Sequence, residues 1–380
     1  MKGTMKAARF HGSRGPEGEQ DVVRVEEVPI PDIERGEVLM RVLRAGLNHG
    51  DLHMREDGIT YAPNVNAIPY LPMTIGHDGV GEVVEVGPEV MNVRPGDRAV
   101  IMCAITCGFC KYCRTDRQNL CPYHKTMGFV ANFGAKKLPE RLMRYKDGLW
   151  AEYCRVPATN LAPLDPEDDV EVMSKVSQIA VGYRALKRAR FHSGETLIVH
   201  GGSGITGVGT IISALIMGAS RVIAVARNPI PLEQVRAIDP QRVFTVSLGR
   251  GESITQRVQE LTGGQGASVL ADVAPAGAET MIECMKNLEA GGRVTLIAAN
   301  PELLQIPIRY LMIRNIEFTS TTGRHYADVP ELLALARAGV IDTGPISSRA
   351  FPLEAANQAL DYIKTRGDND PRWPMYAPGI

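Results

Sequence analysis

The stretch Thr196-Leu-Ile-Val-His200-Gly-Gly202-Ser203-Gly204-Ile205-Thr206-Gly207-Val-Gly decides the fold. Five uncharged residues read as a strand buried on both faces, and the apolar run from Val208 to Met217 has helical spacing. Between them lies G-x-G-x-x-G in the setting that gives the pattern meaning. Gly202 permits the tight turn, Gly204 lets a pyrophosphate approach the backbone, and Gly207 lets helix pack on strand. Ser203, Ile205 and Thr206 complete a loop whose backbone faces the anion at the helix N-terminus. The next strand, Arg221 to Ala226, ends about 20 residues past Gly207, where NAD-binding domains place an acid for the ribose hydroxyls. Here that position is Ala226, followed by Arg227 and Asn228. An acid would repel a 2′-phosphate and a guanidinium would clamp it, so NADP(H) is favoured over NAD(H).

Outward from this turn, a helix with Leu261 near its end and a strand from Ser268 to Val273 continue the alternation, and Val172 to Arg190 is helical. Alternating β and α means an α/β fold with a doubly wound parallel sheet. From Met5 to Val156 the reading changes to short β-runs cut by Gly and Pro, among them 37–43, 81–87 and 97–102, which suggests an all-β, barrel-like lobe. The tail from about Tyr326 is too short for a domain and is expected to complete that lobe. Two domains also suit 380 residues at about 150 per domain.

Lys and Arg number 42 against 43 Asp and Glu, a formal net charge of −1, which argues against a nucleic-acid partner. With no apolar signal core near Met1 and no uninterrupted run of about 18 apolar residues, no membrane partner is expected, and the location expected is cytoplasmic. Of seven cysteines, Cys107, Cys110, Cys113 and Cys121 are spaced C-x2-C-x2-C-x7-C. Four thiolates this close can wrap one tetrahedral zinc and close it to water, making one structural ion per chain, set against local disulfides or four unrelated thiols. Cys103, Cys154 and Cys284 fall outside the spacing and read as buried small hydrophobes.

The β-rich first lobe, Gly76-His77-Asp78-Gly-Val-Gly-Glu82, the four-cysteine loop and the glycine turn together resemble the zinc-containing medium-chain dehydrogenase/reductase superfamily, the alcohol dehydrogenase and quinone reductase relatives, over nearly the whole chain. The resemblance implies a GroES-like β-barrel catalytic domain formed by residues 1–165 and 326–380 and a Rossmann domain formed by 166–325. It also implies an active site in the cleft between them, and a homodimer or homotetramer. Zinc alcohol dehydrogenases of this superfamily hold a catalytic ion by an early Cys, by the His of a Gly-His-Glu motif and by a Cys just before the Rossmann domain. Here Ala45-Gly-Leu-Asn48-His49-Gly50-Asp51-Leu-His53 matches the first region with Asn48 in the thiolate's place. His77 matches the second with Asp78 replacing Glu, and the third position falls on Ser177, counted back from Gly182-Tyr183. Gly50 stands where the proton-relay hydroxyl would be, while His53, the relay's outer end, remains. Structural cysteines kept and catalytic ones lost look like the zinc-independent branch around quinone reductases, so the catalytic zinc is expected to be absent.

Without that metal, hydride delivery to an unactivated ketone lacks its Lewis acid. A C=C conjugated to a carbonyl, or a quinone, spreads the charge so that hydrogen-bond donors suffice. Asn48 and His77 are the candidate donors, His49 or His53 the proton shuttle, and Asp51 the residue that orients them. One alternative is an alcohol dehydrogenase or ketone reductase with zinc on His77, Asp78 and His53; another is a non-catalytic nucleotide-binding structural protein. Two stretches exceed the family pattern. Ile59 to Met73 is a candidate lining of the small-molecule substrate pocket. Val130 to Leu149 carries Lys136, Lys137, Arg141, Arg144 and Lys146, read as a solvated loop or subunit contact, with an acidic substrate such as a coenzyme A thioester as the alternative.

Overall fold

The strand Thr196–His200, buried at every residue, lies in the middle of a six-stranded parallel sheet. The computed structural model describes residues 2–12, 22–56, 66–67, 71–129, 131–132, 137–298, 300, 302–341, 347–365 and 372–376. Across the sheet the order is Val243–Ser247, Arg221–Ala226, Thr196–His200, Ala267–Asp272, Leu288–Leu296, Glu317–Ser320, with every neighbouring pair parallel. This is the doubly wound order in which the chain reverses direction beside the first strand, opening a crevice at the carboxyl ends there. One apolar core fills each face of the sheet.

The first lobe is built on a seven-stranded sheet in which Glu37–Gly46 pairs antiparallel with Asp78–Val86 and with Tyr153–Pro157. The tail expected to complete this lobe divides. Trp373–Tyr376 pairs with Glu37–Gly46, and Leu360 and Ile363 of the helix Ala356–Thr365 enter the first-lobe core. Helix Asp328–Arg337 instead packs on helix Val170–Arg188 through Val329, Leu332 and Leu333, in a core that Val80, Val100 and Met102 of the first lobe also enter. Helix Val170–Arg188 is therefore the element on which both lobes rest. Its N-terminus is capped by Asp169, whose Oδ1 accepts from the backbone N–H of Glu171 and Val172. At Gly182 an added Cβ would stand 2.5 Å from Thr210 Cα, so the absence of a side chain lets helix Ile205–Ile216 cross closely.

The first lobe is not all β. His49–Glu56 is an α-helix, and it carries most of the candidate site residues. Asn48 Oδ1 accepts from Gly50 N at 2.8 Å, and Asp51 Oδ2 accepts from Asn48 N at 3.0 Å. This is a reciprocal capping box, and Asn48-x-x-Asp51 was its signal in the sequence. The reading as β overlooked it because the helix is only eight residues long and holds a glycine in its first turn.

Candidate functional site

The four cysteines of the 107–121 loop converge. Their sulfurs all lie within 4.8 Å of one another, Cys110 and Cys113 at 3.5 Å, Cys107 and Cys121 at 3.6 Å, Cys107 and Cys113 at 3.9 Å. No disulfide joins them. A tetrahedron of sulfurs each about 2.3 Å from a central zinc has edges of about 3.8 Å, so the arrangement fits the ion. Burial pushes the Cys121 thiol up to about 12 in the absence of a cation, and the backbone N–H groups of Cys107 and Tyr123, each 3.4 Å from its Sγ, work against that. Four protein ligands leave no position for substrate or water, which suits a structural ion.

A cavity of about 930 Å³ runs from the glycine turn to the first-lobe helix. Gly202, outside its lining, closes the turn: a Cβ there would stand 2.8 Å from Ala224 Cβ. Ser203, Gly204, Ile205, Thr206 and Gly207 form one wall, Arg227 and Asn228 one end, and Asn48, His49, Gly50 and His53 the other. A Cβ on Gly207 would stand 2.3 Å from Gly201 O, so packing within the protein demands that glycine. Gly204 differs. A Cβ there would meet nothing nearer than Gly201 O at 3.5 Å and would project into room the protein does not need, the room a pyrophosphate requires. Asn228 caps the helix Pro229–Ala237 through its Oδ1 and Ile230 N, a structural task the sequence reading did not foresee. Arg227 is exposed at the cavity's edge and forms no ion pair among the described residues.

At the opposite end three side chains form a chain of contacts. Asn48 Oδ1 is held by the cap, so its amide nitrogen faces His77 Nε2, 2.9 Å away. His77 Nδ1 lies 3.2 Å from Asp51 Oδ1, and Asp51 is fully buried. Nε2 accepts from Asn48, so the imidazole proton of neutral His77 sits on Nδ1, toward the carboxylate. Burial opposes charge on this imidazole, but the Asp51 carboxylate, helped by Asp78, outweighs it and holds the pKa above the ordinary value. Phe129 closes over His77 edge to face at 4.9 Å. His77 itself stands behind Asn48 rather than on the cavity wall.

Asp78 and Ser177 form a second, separate group. Ser177 Oγ donates to Asp78 Oδ1 at 2.9 Å, and Arg324 Nη2 reaches the same oxygen at 2.5 Å while donating to His77 O at 2.8 Å. Sequence reasoning missed Arg324, which lies 246 positions from Asp78 and has no motif around it.

These residues do not fit a catalytic zinc. Position 48 offers an amide whose oxygen is already bonded, position 177 a hydroxyl already donating, and Asp78 is neutralised by a guanidinium that would repel a cation. A single imidazole remains, committed to Asn48. The alternative ligand set of His77, Asp78 and His53 is not assembled either: among the described residues the four cysteines are the one group of three or more such donors drawn together. Of the basic 130–149 stretch, Lys136 lies outside the described residues. Arg144 is not a solvated cation, because it binds the buried Glu37 at 3.1 Å and Glu34 at 2.8 Å, and Lys146 donates to Pro72 O at 3.1 Å. Most of 59–73 also lies outside the described residues.

Comparison with known proteins agrees with the two-domain fold. Residues 34–166 match the family described as alcohol dehydrogenase GroES-like domain, and residues 206–338 that described as zinc-binding dehydrogenase. The chain is 28% identical over 359 residues to an alcohol dehydrogenase of Geobacillus stearothermophilus, a match spanning 94% of this chain and 95% of that one. Alcohol dehydrogenase TADH from Thermus sp. ATN1 superposes with a TM-score of 0.80 at 25% identity, covering 98% of this chain and all of the other, 100%. A putative zinc-binding dehydrogenase from Sinorhizobium meliloti 1021, bound to NADP, shares the fold with a TM-score of 0.81 at 23% identity, over 99% and 100% of the two chains.

Proposed function

Because the chain belongs to the zinc-containing medium-chain dehydrogenase/reductase superfamily, and is thus an NAD(P)-dependent oxidoreductase, we propose that it is an NADP(H)-dependent reductase of a carbonyl-conjugated C=C or a quinone that works without a catalytic zinc. The observation that carries the reading is the 2.9 Å contact between Asn48 Nδ2 and His77 Nε2, a hydrogen bond in the place where metal-dependent relatives need ligands. Ala226, Arg227 and Asn228 support the 2′-phosphate preference, since no carboxylate stands at the end of that strand.

Bound NADPH would supply the hydride. The chain's residues supply the rest. One N–H of the Asn48 amide is given to His77; the other is free to donate to an acceptor oxygen in the cavity as enolate charge develops there. His77 polarises the amide by accepting from it, and Asp51 holds His77 in the tautomer that can accept. His49 and His53, on the cavity wall, are placed to pass a proton between solvent and the carbon or oxygen that gains it. Asp78, Ser177 and Arg324 fix the segment that carries His77 and take no part in proton transfer.

The test is NADPH oxidation with a panel of enones, quinones and saturated ketones on dialysed protein whose zinc is measured in the same sample. Turnover of enones or quinones at one zinc per chain is expected. Activity that tracks a second zinc, or a preference for saturated ketones, would overturn the metal-free reading in favour of the chemistry named for the relatives. Binding without turnover across the panel would favour a non-catalytic nucleotide binder.

A further inference from the structure

His200 and Asp272 face each other at the carboxyl ends of neighbouring parallel strands, where they are register partners. His200 Nδ1 lies 2.8 Å from Asp272 Oδ1, and both side chains are buried. The carboxylate is acceptor only, so the imidazole proton sits on Nδ1 and Nε2 is left as an acceptor. Among the described residues Nε2 has no hydrogen-bond partner, while His200 lines the cavity beside Gly201 and Gly277. An oriented acceptor that opens onto a binding cavity loses its water when the cavity fills and is then costly to leave unmet, so the occupant should bring a donor.

Position in the sheet narrows what that donor is. Arg227 and Asn228 end the strand on one side of Thr196–His200, the side of the adenosine half. Asp272 ends the strand on the other side, and the cavity continues past it to Ile297 and Ala298, which follow the next strand. Between the pyrophosphate at the glycine turn and the reacting ring lies one group with protons to give, the second ribose. A diphosphate has none at neutral pH, and Asp272 behind the ring would repel it. We infer that His200, held by Asp272, is a binding site for a hydroxyl of the ribose on the nicotinamide side of the cofactor. The inference rests on the dinucleotide reading of the cavity.

Three ligands separate this role from a purely structural one: NADPH, 2′-phospho-ADP-ribose, which keeps the second ribose, and 2′,5′-ADP, which lacks it. Dissociation constants are measured by calorimetry for the unaltered protein, His200→Phe and His200→Gln. His200→Phe should weaken the first two about tenfold and leave 2′,5′-ADP within about twofold, the loss expected for one hydrogen bond. His200→Gln, which restores an acceptor oxygen, should recover most of that loss. Equal weakening of all three ligands would make His200 a support of the glycine turn and overturn the inference, as would no weakening of any. If the unaltered protein bound none of them, nor NADH, ADP-ribose and AMP, the dinucleotide reading itself would fail and take the inference with it.

Discussion

Two regions of this molecule hold candidate metal ligands, the cysteine loop and the cleft at Asn48, His77 and Ser177, and they have opposite chemistry. In the cysteine loop four sulfurs converge, three of their pairs at 3.5 to 3.9 Å, and the backbone N–H groups of Cys107 and Tyr123 point at one of them. In the cleft an amide, an imidazole and a hydroxyl occupy the ligand positions, and each is already hydrogen-bonded to the chain. The difference is one of donor type: sulfurs in the loop, and in the cleft an amide and an imidazole of the first lobe with a hydroxyl of helix Val170–Arg188. Four sulfurs spaced like the corners of a tetrahedron around one ion can take up a soft cation, whereas the amide, imidazole and hydroxyl satisfy one another. The two sets of side chains can therefore differ in their fitness for a metal without a change in the backbone that carries them.

Breaking the cysteine side of this contrast should have the largest effect. In Cys110→Ser a three-thiolate remnant binds zinc less tightly, and since binding energy at a structural site is folding energy, zinc content and melting temperature should fall together. A variant that kept both would show that the loop is held by packing alone.

On the cleft side the sharpest substitution is Asn48→Asp. Aspartate caps a helix as well as asparagine does, so the capping box and the melting temperature should survive. The donor to the substrate oxygen is gone, and removal of one such donor costs about 10²- to 10³-fold in turnover. Asn48→Ala should lose turnover to the same degree and, in addition, about 0.5 to 2 kcal/mol of stability through the missing cap. If Asn48→Asp turned over normally, Asn48 would be a cap and nothing more, and the contrast between the two regions would carry no catalytic meaning.

How much of this was legible in the sequence follows the range of each interaction. The glycine turn, the parallel alternation and the cysteine spacing are local, each set by residues a few positions apart, and they are found as expected. The short helix at His49–Glu56 was also local, but its capping box was not recognised in a lobe otherwise read as β. Arg324, and the contact that Ser177 makes, were beyond reach in a different sense, although Ser177 itself was named from the sequence. Their common partner Asp78 lies 246 and 99 positions away, and the chain acquires that contact only when helix Val170–Arg188 seats against the first lobe. The buried pair His200 and Asp272 likewise depends on which strands become neighbours, which follows from the doubly wound topology but from no residue-level pattern.

A smaller effect is expected from Arg227→Asp, which tests the far end of the same cavity. NADPH should bind more tightly than NADH to the unaltered protein, and the variant should invert the order. Loss of a charge-assisted contact costs about 1.5 to 3 kcal/mol, or about 10- to 100-fold in affinity, before repulsion is counted. Equal constants for both cofactors in parent and variant would remove the 2′-phosphate assignment and leave the rest of the cleft reading intact.

The smallest effect concerns pH and separates the cleft from a merely packed interior. Burial opposes charge on His77, yet the Asp51 carboxylate holds its pKa above the ordinary value near 6.5. A raised folded pKa means that the pairing stabilises the protein fully below the unfolded value and that this contribution disappears as pH rises through the folded one. Activity should run the other way. Protonated His77 presents N–H at Nε2, can no longer accept from Asn48 and releases the amide from its orientation, so kcat/KM should fall as pH drops through the same window. Asp51→Asn removes the carboxylate that raises the pKa while keeping an oxygen for the cap. Its acid limb should move to lower pH, and its stability should depend less on pH above about 6.5. A profile unchanged by Asp51→Asn, or one shifted to higher pH, would mean that Asp51 does not set the charge of His77, and that the chain of contacts from Asp51 through His77 to Asn48 does not control the donor.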